Sequence, residues 1–407
     1  MRVLFLTDQF PYPLHDGGNL RTFHVLAGLA QEHEVTMIAH EPPRPSAVST
    51  FPIACRVVTV QKQRLPSRIA GGLMQGSRLQ YSMFLTKNWS SRLLLRAEIE
   101  LKRSRFDAIH FNHLDTACFV LKRNWPQRKI FDTHNCLSDL ARQTAQEISS
   151  WSRRQVFEFE AKRLHAAELA ICRRMDLNLV CSDVDAQAYR RLCPSGHYEV
   201  IPNGVDTQYF QPDTTILGEA NSLVFTGAMN YYPNEQASLF FCQQILPRIQ
   251  APKAQVILVG RHPTLQVRAL HDGCRVVVTG GVNDVRPFVH RGQVFVVPLL
   301  HGSGTRLKIL EAFAMGKAVV STSIGAAGLP VTDGRELILA DTPEHFAKSI
   351  DDLLADPARR NALGRAARDF VVTRFDWGSI QGEMRDRYRI VMGTYDSDAP
   401  RGLQTRI

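Results

Sequence analysis

The chain has 407 residues, which is too long for one ordinary hydrophobic core and suits two domains of about 200 residues each. Apolar residues make up 44% and charged residues 22% of the sequence, which excludes disorder and collagen-like repetition. No signal peptide or membrane span is predicted, because the longest apolar run, Val294 to Leu300, is short and contains Pro298. We therefore expect a soluble, cytoplasmic protein.

The eight cysteines are scattered along the chain and form no Cys-x-x-Cys pair. Several of them, such as Cys181, lie inside apolar runs. This pattern argues against a zinc site or a disulfide framework, so we expect buried, reduced thiols.

The net charge of +10 is concentrated between residues 56 and 105, where eleven Lys and Arg side chains accompany two glutamates. Apolar residues are interleaved with these cations, among them Leu79, Met83, Phe84 and Trp89. Two interpretations stay open: a solvated helical face, or a patch that sits on an anionic membrane surface or a phosphate-bearing acceptor. Nucleic acid is not expected as a partner, because no known binding motif accompanies the charge.

Short β-branched runs alternate with longer amphipathic stretches in the first half of the chain. This is the pattern of buried parallel strands joined by crossover helices. The predicted strands are Val3 to Thr7, Val35 to Ile38, Arg56 to Val60, Ala108 to Phe111, Lys129 to Phe131, Leu177 to Cys181 and Glu199 to Ile201.

A connection rich in Pro, Asn, Gly and Asp, from Pro202 to Pro212, interrupts this pattern, which then restarts. The second set of predicted strands is Leu223 to Thr226, Gln255 to Val259, Arg275 to Thr279, Val294 to Val297 and Ala318 to Ser321. We therefore predict two α/β, doubly wound, Rossmann-like parallel-sheet domains over residues 1–205 and 206–375, facing a central cleft. A helix over 376–392 is expected to pack back on the first domain, and residues 393–407 to form a frayed tail.

A Gly-x-Gly turn after the predicted strand that ends at residue 297 carries the densest group of candidate site residues. Gly302 and Gly304 allow a tight turn with free N–H groups at a helix N-terminus, which is an anion site. Arg306 and Lys308 bring two cations to the same turn, as a diphosphate requires. Glu311 is suited to accept hydrogen bonds from two ribose hydroxyls. A glycine-capped helix with a Lys308–Glu311 pair is the alternative, but it leaves the Gly-x-Gly turn unexplained.

The segment from Gly302 to Thr322 resembles the donor-binding signature of the family-4 glycosyltransferases of GT-B fold. The resemblance continues in the expected order through Phe5-Leu-Thr, Asp16-Gly-Gly, His33-Glu-Val-Thr36, Phe106-Asp-Ala-Ile-His110, Phe131-Asp-Thr-His134, Val200-Ile-Pro-Asn-Gly-Val-Asp206, Leu258-Val-Gly-Arg261, Val278-Thr-Gly-Gly-Val282 and Gly316-Lys-Ala-Val-Val-Ser-Thr322. It is especially close to a bacterial, exosortase-associated subgroup linked to exopolysaccharide export, through Gly227-x-Met229-x-Tyr231-x-Pro233-Asn234 and Gly304-Thr-Arg-Leu-Lys308.

The resemblance implies a retaining, metal-independent transfer of a sugar from a nucleotide-sugar donor to a lipid-linked or saccharide acceptor, with no cofactor. Peripheral attachment to the inner face of the membrane would suit such an acceptor. The catalytic group would consist of His113, Arg306, Lys308 and Glu311. Donor-binding positions would be Gly17, Gly18, Gly227, Arg261, Gly280, Val282, Gly302, Ser303, Gly304 and Thr305. Acceptor-side positions would be Asn112, Asp132 and His134.

Two departures from the family pattern affect the predicted donor site. Ser303 stands where the family usually has a second glutamate, eight residues before the position of Glu311. Ala228 stands where the family usually has an arginine, directly after Gly227. We infer that Arg306 and Lys308 replace the missing phosphate clamp.

Three short patterns mimic other sites and are rejected. The turn before Lys308 lacks the Gly-Lys-Ser/Thr of a nucleoside-triphosphate P-loop, and Asp16-Gly-Gly-Asn-Leu-Arg21 lacks the spacing of a dinucleotide fingerprint. Asp183-Val-Asp185 mimics a metal-binding Asp-x-Asp motif, but it follows a predicted strand, and Ser182 or Asp183 is placed to cap a helix there. Two other functions stay open: a sugar-nucleotide epimerase of the same fold, and a catalytically inactive sugar-nucleotide-binding protein.

Overall fold

The structure is a computed structural model that describes residues 1–14, 17–63, 82–148, 150–213, 215–216, 218–301 and 307–393. The chain divides into two compact units. The first contains Met1–Val180, Asp185–Ile201 and the chain from Gln381 onward, and the second contains Cys181–Val184 and Pro202–Ile380. The tail predicted over 393–407 lies, beyond Gly393, outside the described residues.

In the described part of the first unit, seven parallel strands form one sheet in the order β3-β2-β1-β4-β5-β6-β7. Their bounds are β1 Arg2–Leu6, β2 Glu34–His40, β3 Arg56–Val60, β4 Ala108–Asn112, β5 Arg128–Asp132, β6 Leu177–Val180 and β7 Tyr198–Val200. Every strand predicted for this half is present, with ends that move by at most two residues. Buried strands are long apolar runs because both faces of a parallel sheet are covered by helices.

The helices that cover this sheet are α1 Gly17–Ala30, α2 Ser46–Ser49, α3 Met83–Asn88, α4 Ser91–Arg103, α5 Leu114–Ala117, α6 Leu137–Glu147, α7 Trp151–Cys172 and α8 Asp183–Leu192. Their apolar faces and the strands share one core, in which Leu4, Ile109, Phe111 and Phe131 are fully buried.

The second unit repeats the architecture, with its described strands in the order β10-β9-β8-β11-β12-β13, all parallel. The strands are β8 Ser222–Thr226, β9 Gln255–Val259, β10 Val276–Gly280, β11 Val294–Val297, β12 Ala318–Ser321 and β13 Ile338–Leu339. The helices are α9 Tyr232–Phe240, α10 Leu265–Ala269, α11 Arg286–Arg291, α12 Leu307–Ala314, α13 Ser323–Ala326, α14 Pro343–Ala355, α15 Pro357–Arg374 and α16 Trp377–Val391. The predicted pair of doubly wound, parallel-sheet domains is confirmed.

Helix α16 contributes to the first unit from Gln381 onward. A Cβ on Gly28 of α1 would lie only 2.9 Å from Gln381 and Met384, so the two helices approach closely. The Tyr388 hydroxyl contacts Nδ1 of His110 at the centre of the sheet. In this stretch the C-terminal helix packs against the first unit.

Two further expectations concern thiols and membrane segments. None of the eight cysteines, all of which lie in the described part of the chain, forms a disulfide bond; five are buried, Cys55 and Cys242 are partly buried, and Cys274 is exposed. Among the described helices none combines the length and the apolar content that a bilayer crossing requires.

Candidate active site

The carboxyl edge of the first sheet gathers most of the predicted site residues of that unit. The strand order changes direction between β1 and β4, which is the point where open α/β sheets bind ligands. Asn112 ends β4 and Asp132 ends β5, while Gly17 and Gly18 open helix α1. His134 follows two residues after β5. These residues lie at one edge because the carboxyl ends of parallel strands meet at the same side of a sheet.

A buried ion pair supports this edge from beneath. Arg21 and Asp132 are both fully buried, and Asp132 Oδ1 accepts from the Arg21 guanidinium at 3.0 Å and 2.6 Å. The remaining arm of Arg21 donates to the Ile201 carbonyl at 2.8 Å. Burial alone would raise the pKa of the Asp132 carboxyl, but the charge of Arg21 outweighs it and holds the pKa well below its usual range. Asp132, predicted to meet the acceptor, therefore lies below the open edge as the partner of Arg21.

Asn112 is also buried, with 4% of its surface exposed, and its amide is fully engaged. Nδ2 donates to the hydroxyls of Thr7 at 3.2 Å and Thr22 at 3.0 Å. Oδ1 lies 3.3 Å from Nε2 of His134. Asn112 thus holds its neighbours in place and offers little surface of its own to a substrate.

His113 and His134 lie side by side, with ring centroids 5.2 Å apart. Burial lowers the pKa of both imidazoles, but the carboxylate of Asp115, which lies 3.4 Å from His113 Nδ1, favours the charged ring and leaves the pKa of His113 raised. The pKa of His134 falls to about 3, through burial first and then the neighbouring charge of His113. Adjacent groups whose pKa values are pushed apart are typical of acid–base sites.

The backbone at His113 is strained. Its φ of 69° lies in the left-handed region, which non-glycine residues seldom adopt. The strand β4 ends one residue earlier, and the His113 N–H donates to the carbonyl of Asp132 at 2.8 Å. Strain of this kind, worth about 1–3 kcal/mol, concentrates at functional sites.

In the second unit, the ends of β8, β9 and β10 meet through glycines. A Cβ placed on Gly260 would lie 1.6 Å from the carbonyl oxygen of Gly227, so no larger residue fits. Gly227 N–H donates to Val259 at 3.0 Å, and Gly260 N–H donates to Gly280 at 3.2 Å. Gly280 has a φ of 71°, which favours glycine. Gly227 and Gly280, both predicted donor-binding positions, therefore lie at one edge of the sheet.

Lys308 lies directly against this glycine edge. Its ammonium donates to Asn234 Oδ1 at 2.7 Å and lies 4.2 Å from the ring centroid of Phe225. A Cβ on Gly227 would lie 3.0 Å from the Lys308 nitrogen, and Asn234 Nδ2 donates to the Ala228 carbonyl at 3.0 Å. The cation thus stands beside the position where Ala228 replaces the arginine of the family pattern.

Helix α12 carries Lys308 and Glu311 and is anchored as the sequence predicts. Ile309 and Leu310 are buried, and the helix stops at Gly316, whose φ is 68° and whose N–H donates to Phe313 at 2.9 Å. Glu311 is partly buried; burial raises its pKa to about 7, although the charge of Lys308 acts against the increase.

The remaining predicted site residues differ in their exposure, and some of them lie outside the described residues. Arg261 is exposed and Val282 is partly buried against the core of the second unit. Helix α8 begins at Asp183, as predicted, and Asp185 is mostly buried. Five predicted positions lie outside the described residues, namely Gly302, Ser303, Gly304, Thr305 and Arg306.

The basic segment is only partly available to a partner. Arg56 and Arg96 both pair with the buried carboxylate of Glu100, at 2.9 Å and 2.7 Å. The expectation that Trp89 belongs to a patch facing a membrane surface is wrong, because its side chain is 1% exposed and packs edge-on against Phe119. Met83 is 53% exposed, Phe84 is partly buried, and Leu79 lies outside the described residues.

Three contributors to the two edges did not emerge as candidates from the sequence. In the sequence, Arg21 is only the last residue of a rejected fingerprint, and Gly260 and Asn234 lie only within segments of family resemblance. Arg21 on helix α1 could have been suspected, since an arginine on an otherwise apolar helix face usually has a carboxylate partner.

Two family models match the chain in sequence. Residues 15–209 match the model described as Glycosyltransferase Family 4, and residues 220–356 match the model described as Glycosyl transferases group 1. Together they span most of both units.

The chain is similar to curated mannosyltransferases. A GDP-mannose-dependent alpha-(1-6)-phosphatidylinositol monomannoside mannosyltransferase of Mycobacterium tuberculosis is 27% identical over 220 residues, which are 48% of this chain and 57% of the relative. A phosphatidyl-myo-inositol mannosyltransferase of Mycolicibacterium smegmatis is 26% identical over 205 residues, 47% of this chain and 52% of the relative. The chain spans about half the length of the curated relatives it matches.

Solved structures resemble nearly the whole chain in fold. Sucrose-phosphate synthase from Thermosynechococcus elongatus superposes with a TM-score of 0.73 at 18% identity and covers 97% of this chain and 100% of its own. Anabaena HepE in complex with UDP superposes with a TM-score of 0.68 at 16% identity, covering 96% and 100%. These identities bear on the fold alone, and they confirm the predicted GT-B fold.

Proposed function

We propose that the chain, which matches the Glycosyltransferase Family 4 and Glycosyl transferases group 1 models, is a family-4 glycosyltransferase that transfers a sugar from a nucleotide-sugar donor to an acceptor. The observation that carries the proposal is the group at the edge of the second sheet. There Lys308 lies beside Gly227, and Glu311 follows one turn along the same helix. A cation beside the glycine edge of the sheet and a carboxylate one turn away suit a diphosphate and a ribose.

On the donor side we assign a role to each residue. Lys308, together with Arg306, stabilises the negative charge that develops on the leaving diphosphate, so that no metal ion is required. Glu311 accepts hydrogen bonds from the two ribose hydroxyls. The segment from Thr279 to Val282 faces the nucleobase. Fixed charges of this kind act without reorganising during the reaction, which is why they are effective catalysts.

On the acceptor side we propose that His113 contacts the transferred sugar and that the reaction proceeds with retention. The leaving phosphate would take the proton of the acceptor hydroxyl, because no nucleophile of the protein is required in this mechanism. His134 would meet the acceptor, while Asp132 and Asn112 support it from below. Exclusion of water from the reacting groups would limit hydrolysis of the donor.

The acceptor is proposed to be a lipid-linked or saccharide molecule of bacterial polysaccharide or glycoconjugate synthesis. The names of the mannosyltransferase relatives include GDP-mannose and phosphatidylinositol, and HepE was solved with UDP. We therefore place GDP-mannose and UDP-glucose first among the donors to be tested.

The test is a thermal-shift screen of these donors, since a ligand that binds only the folded state raises the unfolding temperature. A stabilising donor is then incubated with lipid-linked and saccharide acceptors, and product formation is measured. The Lys308→Ala variant should lose the shift, whereas Lys348→Ala, which removes an exposed lysine paired with Asp352, should keep it. Stabilisation by no nucleotide-sugar would refute the proposal. Product without any acceptor would favour an epimerase, and binding without product an inactive binding protein.

A membrane surface is proposed as a further partner through the exposed cations Arg92, Lys102 and Arg103 of helix α4. Each cation near an anionic bilayer contributes about 1 kcal/mol. We expect sedimentation with anionic liposomes at low salt, weakened by raised salt. The triple substitution of these residues to Glu should abolish it, and the same reversal at Arg268, Arg359 and Arg365 of the second unit should not. If the wild-type protein stays in the supernatant, the membrane proposal fails and the basic segment is a solvated helical face.

A further inference from the structure

Two threonine hydroxyls at the edge of the first sheet have already used their protons. Thr7 Oγ1 donates to the Gln9 carbonyl at 3.0 Å, and Thr22 Oγ1 donates to the Gly18 carbonyl at 2.8 Å. A hydroxyl carries one proton, so any further hydrogen bond must be accepted by its oxygen. Both threonines therefore need a donor from their shared neighbour, Asn112.

This requirement fixes which way the Asn112 amide points. Its amino group has two protons and lies within reach of both hydroxyl oxygens, at 3.2 Å for Thr7 and 3.0 Å for Thr22. The opposite orientation would set the amide oxygen against two oxygens that have no proton left to give. The amide oxygen therefore faces His134, at 3.3 Å from Nε2.

An amide oxygen can only accept, so the His134 nitrogen that faces it must carry a proton. In the other tautomer an unprotonated Nε2 would lie against Oδ1, and two lone pairs would face each other. The neutral ring with its proton on Nε2 leaves a lone pair on Nδ1, the nitrogen directed away from Asn112. Within the described part of the chain, Nδ1 has no hydrogen-bond partner.

The charges around His134 favour the neutral ring. His110 on β4, His113 directly after β4 and Arg21 on α1 oppose a positive charge on His134, whereas Asp132 on β5 favours one. Burial, which comes first, also disfavours the charged form, and the pKa falls to about 3. His134 is consequently neutral at physiological pH, and its lone pair is available there.

We propose that Asn112 is a positioning residue that holds His134 as the Nε2–H tautomer, so that Nδ1 is presented as a hydrogen-bond acceptor for a substrate hydroxyl group. The hydrogen-bond chain runs from two backbone carbonyls through two threonines and one asparagine to one imidazole. The tautomer is argued from these hydrogen bonds, whereas the identity of the substrate hydroxyl rests on the proposed glycosyl transfer.

The tautomer is measured directly by nitrogen NMR of the full chain labelled with ¹⁵N-histidine. The two ring nitrogens of a neutral imidazole give separate signals, and a His134→Gln variant identifies those of His134. We expect a protonated Nε2 and an unprotonated Nδ1 between pH 6 and pH 8. A proton on Nδ1, or a charged ring within this range, overturns the proposal, whether or not the protein transfers sugar.

A second measurement uses Asn112→Asp, which replaces the amide by a carboxylate that favours a charged imidazole. We expect the His134 signals to move to the charged form near pH 6, and turnover at pH 6 to fall by at least about tenfold relative to pH 8. The apparent KM for the acceptor should rise more than that for the donor. Unchanged signals and an unchanged pH profile in a folded variant contradict the positioning role.

Asn178→Asp is the matched control, because Asn178 is a fully buried asparagine on the neighbouring strand β6 that donates to the His197 carbonyl at 3.1 Å. It introduces a buried carboxylate with the same burden on folding, but it should leave the His134 signals unchanged. A shift of equal size in both variants would show that buried charge in general, and not Asn112, governs the tautomer.

Discussion

The close approach of Gly260 to Gly227 allows a sharp test of the second unit. A methyl group on Gly260 would lie 1.6 Å from the Gly227 carbonyl oxygen and 2.7 Å from its carbonyl carbon. Carbon and oxygen atoms that do not bond stay more than about 3 Å apart, so the ends of β8 and β9 must separate by about 1.5 Å. Both partners are backbone, and neither can rotate away as a side chain could.

The loss of stability expected for Gly260→Ala can be estimated from the hydrogen bonds that break when the two strand ends separate. Two hydrogen bonds join these strand ends, Gly227 N–H to Val259 at 3.0 Å and Met229 N–H to Arg261 at 2.9 Å. Losing them costs about 1 kcal/mol each, and overpacking adds about 1–3 kcal/mol. Alanine also lowers the conformational entropy of the unfolded chain, which stabilises the variant by about 0.4–1 kcal/mol. We expect a net loss of about 3 kcal/mol in the free energy of unfolding.

Urea unfolding of the full chain, followed by circular dichroism, measures this loss. Gly281→Ala is the control, because a methyl group there would lie 3.5 Å from the Arg261 side chain, which is ordinary contact. Its free energy of unfolding should stay within about 0.5 kcal/mol of wild type. If Gly260→Ala proves equally harmless, the strand ends do not meet as described. Displacement of Gly227 should also weaken donor binding, since Lys308 lies against it.

Four further predictions concern the proposed donor site and the metal-independent transfer. Lys308→Ala and Arg306→Ala should each lower turnover by about a hundredfold, or about 3 kcal/mol, and rates near wild type in both would end the clamp argument. Donor affinity should rise with pH through about 7 as Glu311 ionises, and Glu311→Gln should flatten this titration. The same raised pKa means that, without ligand, Glu311 lowers stability as pH rises from about 4.5 through 7, a loss that Glu311→Gln should remove in a thermal-shift series. Activity should survive excess chelator, and Asp183→Ala or Asp185→Ala should leave the rate unchanged; restoration by Mn²⁺ after chelation would contradict this.

The sheets could be predicted from the sequence because a buried parallel strand is a continuous apolar run that stands out locally. Arg56–Val60, Gln255–Val259 and Val294–Val297 have the same bounds in prediction and structure. The edge strand Ile338–Leu339 was missed, since two residues form no detectable run. Helix α12 was also predicted, because its apolar residues recur at helical spacing.

The side chains beneath the first site could not be predicted in the same way. Arg21 and Asp132 are 111 positions apart, and only the finished sheet brings them together. Trp89 was misassigned for a related reason: it follows a basic, apolar stretch, but the turn between α3 and α4 directs its ring to Phe119 in the core. Burial of an individual residue depends on such tertiary contacts, which periodicity does not contain.

Each unit uses a mostly buried asparagine to orient one functional side chain. Asn112 accepts from His134 while its amino group is held by two hydroxyls. Asn234 accepts from Lys308 at 2.7 Å while its amino group is held by the Ala228 carbonyl at 3.0 Å. An amide does not ionise, so these hydrogen bonds persist over the pH range in which Glu311 changes charge. A pH dependence of activity near 7 should therefore report ionisation of groups that meet the substrate, because the residues that position them keep the same proton arrangement throughout.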